Sequence, residues 1–126
     1  MGVTAVDTMA YPFGDYNAAV QTIAQNAGYA AARGTDYGYN TPVTNKFALK
    51  VQQVDRTTTL AQVQAWVSEA AQNKVWLILM FHQIDADMNA TLGITPEFLG
   101  QIVSYVSTVP TIDVVTVRQG AALMNP

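Results

Sequence analysis

Cysteine is absent from these 126 residues, and a single histidine stands among them. The first absence excludes disulfides, thiolate metal sites and a cysteine nucleophile together. The second excludes any centre that needs two imidazoles from one copy of the chain. Charge is scarce as well: 12% of residues are Asp, Glu, Lys or Arg, and the net charge is −3 with no block of like sign. Such a surface suits neither nucleic-acid phosphates nor anionic membranes. No apolar run is long enough to span a bilayer, and no basic-then-apolar leader opens the chain. Internal repeats, a glycine-rich phosphate loop and a Gly-x-Ser-x-Gly elbow are missing too.

What remains is strongly apolar. Half the residues are hydrophobic, which argues against disorder and implies one domain over residues 1–126 with some apolar surface suited to a partner. The most informative stretch is Val75-Trp76-Leu77-Ile78-Leu79-Met80-Phe81-His82. Apolar residues without alternation suit a strand covered on both faces, the habit of parallel sheets. Such sheets place their chemistry at the carboxyl ends of their strands, and the lone histidine sits at that end.

The elements read in alternation. Residues 3–10 form a strand closed by the turn Tyr11-Pro12-Phe13-Gly14. Asp15 is the expected cap of a helix over 16–27, with Val20, Ile23, Ala24 and Ala27 on one face and Gly28 as its stop. Residues 29–33 read as a short strand, and 34–42 are rich in turn formers. A strand over 47–54 leads to a helix capped by Thr57 or Thr58, whose inner face is Leu60, Val63, Trp66, Val67 and Ala70. After the apolar strand, a polar loop over 83–94 reaches Thr95-Pro96, a cap and first-turn pair. The helix beyond it buries Phe98, Ile102, Tyr105 and Val106, and a last strand over 112–117 precedes a helical turn near 119–123. This order implies the α/β class, a mostly parallel sheet with flanking helices. Right-handed crossovers gather residues 11–14, 33–35, 55–56 and 82–83 on one rim.

Several of these segments resemble the polysaccharide deacetylase family (carbohydrate esterase family 4, the NodB homology domain). Ala10-Tyr11-Pro12-Phe13-Gly14-Asp15-Tyr16-Asn17 is similar to that family's third motif, and Asn26-Ala27-Gly28-Tyr29-Ala30-Ala31-Ala32-Arg33 to the passage that follows it. Ile78-Leu79-Met80-Phe81-His82-Gln83-Ile84 resembles the fifth motif, an apolar strand ending Leu-x-His. Thr95-Pro96-Glu97-Phe98 and Val114-Val115-Thr116-Val117 match the usual closing helix and strand. The resemblance implies a partial (β/α) barrel, the carboxyl-terminal half of a distorted deacetylase barrel. It also implies hydrolysis of acetyl groups on a cell-wall or extracellular glycan, and an extracellular or envelope location.

The departures from the family matter as much. Its members bind a zinc-like divalent metal through an Asp-His-His triad and use a neighbouring aspartate as base, all in two upstream motifs. Neither a Thr-Phe-Asp-Asp string nor a His-Ser/Thr-x-x-His string occurs here. A metal is therefore expected only in a complete domain, and none in this chain. Ala10 stands where the third motif often has arginine, and Asp55-Arg56 lies only loosely where the fourth motif's aspartates belong.

By resemblance, His82 is the general acid and Phe13 donates a backbone N–H to the oxyanion. Tyr11, Pro12, Gly14 and Met80 contact the substrate, Met80 beside the acetyl methyl. Each residue has a plainer reading: a strand-end histidine bonded to a backbone carbonyl, a proline turn leading into a helix, a core methionine. Asp85 and Asp87 read as solvated loop carboxylates, and Trp66 and Trp76 as core. Tyr11, Tyr16, Tyr37 and Tyr39 offer aromatic faces of the kind that pack on pyranose rings. Arg33 and Arg56 read equally as ion-paired supports or ligand contacts. The two functions that follow are part of a deacetylase and a non-catalytic glycan-binding or assembly module. Either would leave sheet edges open, and so implies a homo-oligomer or completion by a missing amino-terminal half.

Overall fold

The computed structural model describes residues 6–86 and 91–124. Residues 3–5 of the expected first strand, and Asp87, lie outside the described residues. The ordered elements are β1 (Thr8–Ala10), α1 (Ala18–Asn26), β2 (Ala31–Tyr37), β3 (Leu49–Gln53), α2 (Leu60–Asn73), β4 (Leu79–Met80), α3 (Pro96–Ser107) and α4 (Val117–Ala122). A single 3-10 turn, Pro12–Gly14, follows β1. The four strands run parallel in the order β1-β2-β3-β4. The α/β class and mostly parallel sheet expected from the alternation are therefore present. Each strand pairs with its predecessor, an order unlike that of a doubly wound sheet.

The chain divides into two compact units. In the first, residues up to 51 join those from 114 onward. Its strands pair in the register Thr8↔Ala31 through Ala10↔Arg33, then Arg33↔Leu49 and Tyr37↔Val51 with an irregularity between. Ala31, Ala32, Leu49 and Val51 are wholly buried, and α1 and α4 pack on β2, with Ala24 and Ala121 buried on those helices. Asn40 is buried too, and its side-chain amide replaces a missing rung: Nδ2 donates to the Lys50 carbonyl and Oδ1 accepts from the Lys50 N–H. Both polar ends are thus satisfied, as a buried amide requires.

In the second unit, residues 52–113, Gln52↔Leu79 and Gln53↔Met80 continue the sheet. Val54, Val63, Val67, Ile94 and Ile102 form the centre of its core, with Leu77, Leu79 and Phe81 packed against them. Ile78 and Met80 face the other way and are also buried. Covering on both faces explains why this segment shows no polar alternation.

Local chemistry moved several boundaries. Asn17, not Asp15, caps α1, its Oδ1 accepting from the Val20 N–H. On that helix only Ala24 is buried; Ile23 remains 67% exposed, so the expected four-residue inner face is not covered. Thr59 rather than Thr57 or Thr58 caps α2, because it forms a reciprocal capping box with Gln62. Thr58 is instead engaged with the Asp55 N–H.

Two strand expectations are corrected. β2 continues through Gly34 to Tyr37, where turn formers suggested a break. Gly34 serves close approach rather than turning: a Cβ there would sit 2.7 Å from the Tyr16 ring. The turn comes at Gly38, with φ 144°. Residues 112–117 form no strand. Their Val, Ile and Thr content promised one, but strand preference is largely a matter of pairing and burial. Val114 stays 80% exposed, and Thr116 opens α4 through a capping box with Gln119.

Candidate functional site

In the second unit the strand ends carry a hydrogen-bonded row of three side chains. β3 stops at Gln53 because Asp55 turns the chain: its N–H donates to Thr58 Oγ1, and its Oδ1 accepts from the Thr57 N–H and hydroxyl at 2.8 and 2.7 Å. These Thr57 bonds are the main reason that the Asp55 carboxyl titrates below its ordinary range. The ladder to β4 therefore closes at Val54 N–H to the Met80 carbonyl, and the apolar run keeps only a two-residue strand. His82 lies two residues past that strand, exposed. Its Nε2 is 3.2 Å from Gln53 Oε1, and Gln53 Nε2 donates to Asp55 Oδ2 at 3.1 Å. The partner of the histidine is thus a side-chain amide rather than a backbone carbonyl.

Neighbouring groups are occupied locally. Asp85 accepts from Gln83 Nε2 at 2.8 Å; its own N–H donates to the Ile94 carbonyl, and the Ile94 N–H donates to the Gln83 carbonyl. Met80 is buried. Trp66 packs half-buried against the unit's core, as expected, and Trp76 is half-buried.

The first unit holds the other sequence-derived site residues. Tyr11 is 3% exposed, donates its hydroxyl to the Phe47 carbonyl, and stacks on Tyr16 with ring centroids 4.8 Å apart. It anchors the turn and presents no free face to a sugar. The turn is closed by Gly14 N–H to Tyr11 O and Asp15 N–H to Pro12 O, which leaves the Phe13 N–H outside its own ladder. Phe13 has φ 56°, a left-handed conformation that costs a non-glycine residue about 1 kcal/mol or more, and its side chain is fully exposed. Gly14 also has positive φ and lies so close to the Thr35 side chain that no Cβ fits. Tyr37, ending β2, is 66% exposed, whereas Tyr39 is half-buried.

Among the described residues, no three His, Asp or Glu side chains converge. Asp55 Oδ1 is held by Thr57, and the sole histidine is engaged with Gln53. This donor set does not fit the divalent metal implied by the deacetylase resemblance. Among the described residues, no helix is long and apolar enough to cross a membrane.

Sequence reading missed Gln53 altogether. Nothing in the chain's wording distinguishes this glutamine until the register places it beside His82. Asp55 carried a faint signal through the run Asp-Arg-Thr-Thr-Thr, which is a turn-and-cap composition. Comparison with family models, with curated proteins and with solved structures finds no match for this chain.

Proposed function

We propose that this chain forms the later strands of a deacetylase-like domain that hydrolyses acetyl groups on a glycan, with His82 as the group that protonates the departing amine or alcohol. One observation carries the reading: in a sequentially ordered parallel sheet, the only imidazole stands exposed just beyond the carboxyl end of β4. Imidazole suits the step because its ordinary pKa lies near neutrality, so it both holds and releases a proton there. The ordered succession of family-like segments supports the same reading. No water-activating group is assigned among the described residues, and no step is routed through one.

The test is acetate release from acetylated chito-oligosaccharides by the product of the complete native reading frame, assayed with zinc or cobalt. Release supports the reading. A complete product that begins at Met1 and releases no acetate overturns it.

A second reading, a non-catalytic glycan-binding module, draws on the exposed Tyr37 at the end of β2. Aromatic faces at a rim pack against pyranose rings. Saccharide titration that shifts tyrosine or tryptophan fluorescence, and is lost in Tyr37→Ala, supports it; titration without a spectral change contradicts it. Under either reading the chain self-associates, since β1 and β4 are the outer members of the described sheet.

A further inference from the structure

We infer that Gln53 is a positioning residue that holds His82 as its Nε2–H tautomer and so makes Nδ1 the atom that exchanges protons with a ligand. The argument runs along the row from its most constrained end. Asp55 is fixed by two bonds from Thr57 to Oδ1, and those bonds favour its ionised form. An ionised carboxylate only accepts hydrogen bonds. The Gln53 atom 3.1 Å from Asp55 Oδ2 must therefore be the amide nitrogen.

That choice fixes the other end of the amide. Oε1 is left facing His82 Nε2 at 3.2 Å, and an amide oxygen cannot donate. Nε2 must then carry hydrogen. A neutral imidazole has only one N–H, so Nδ1 is a bare acceptor in the resting ring and a donor in the imidazolium. The reverse amide orientation would set oxygen against the carboxylate and NH2 against whichever ring nitrogen faces it, losing the bond to Asp55.

The consequence for catalysis rests on the deacetylase reading above. As the C–N bond breaks, its electron pair stays with nitrogen, which takes the Nδ1 proton of the imidazolium. The ring returns to the neutral Nε2–H form, still bonded to Gln53. Substrate must then approach His82 from its Nδ1 side.

His82 is the only histidine, so every imidazole nitrogen signal belongs to it. The experiment is a long-range proton–nitrogen NMR spectrum of the chain, taken where the imidazole is neutral. The wild type is expected to give two well-separated resonances, pyrrole-like for Nε2 and pyridine-like for Nδ1. Gln53→Leu removes the amide at similar volume and draws the two resonances together as the tautomers mix. Asp55→Asn does so partly, because an asparagine both donates and accepts and releases the amide to flip. A wild-type spectrum with pyridine-like Nε2 overturns the assignment even if neither variant folds. Folded Gln53→Leu with unchanged resonances overturns it as well. The readout involves no hydrolysis, so failure of the deacetylase reading leaves the tautomer standing, and a failed tautomer leaves the reaction untouched.

Discussion

Tyr16 donates its phenolic hydrogen to Asp36 Oδ2 across 2.6 Å. The bond retains the proton, and together with burial and the nearby carboxylate charge it pushes the phenol up to about 12 from an ordinary 10.0. The same ring covers Tyr11 and abuts Gly34, so the pair supports the turn that carries Phe13.

The folded phenol holds its proton more tightly than the unfolded one, so the contribution is complete below the unfolded value. It is lost as pH rises from about 10 to about 12. Tyrosinate absorbance should show Tyr16 titrating late, beside Tyr11, whose phenol burial also pushes up; Tyr16→Phe should remove the Tyr16 part of that late phase and flatten the alkaline loss of stability. An unchanged titration in Tyr16→Phe contradicts the assignment.

Gly34→Ala tests the close approach in β2. The added methyl meets the Tyr16 ring, so a cost of roughly 1–3 kcal/mol is expected from overpacking. Chemical denaturation measures it. Made in a Tyr16→Ala background, the same change should cost less, because the obstructing ring is then gone; an equal cost of Gly34→Ala in both backgrounds contradicts the account.

Self-association is the outcome expected from the outer strands of the described sheet and from exposed apolar side chains such as Ile23. Light scattering at high micromolar concentration should report a dimer or larger species. A monomer there contradicts the expectation.

The sequence carried most of the alternation of elements through apolar periodicity, and the place of His82 just past a strand through an unbroken apolar run. It carried α2 and α3 well, since their inner faces match the observed core at Val63, Val67, Ala70 and Ile102. It failed where one contact outweighs composition. Gly34 looked like a breaker until Tyr16 occupied the space beside it. Residues 112–117 looked like a strand until Thr116 capped a helix. Gln53 has no intrinsic chemistry, and only the register Gln53↔Met80 brings its amide within reach of both an imidazole and a carboxylate.

The role of His82 is tested most directly by substituting it in the product of the complete native reading frame. With acetylated chito-oligosaccharide as substrate, His82→Ala should lower kcat by about 10²–10⁴-fold, the usual worth of a positioned general acid, while leaving KM nearly unchanged. A variant that releases acetate at the wild-type rate would contradict the account.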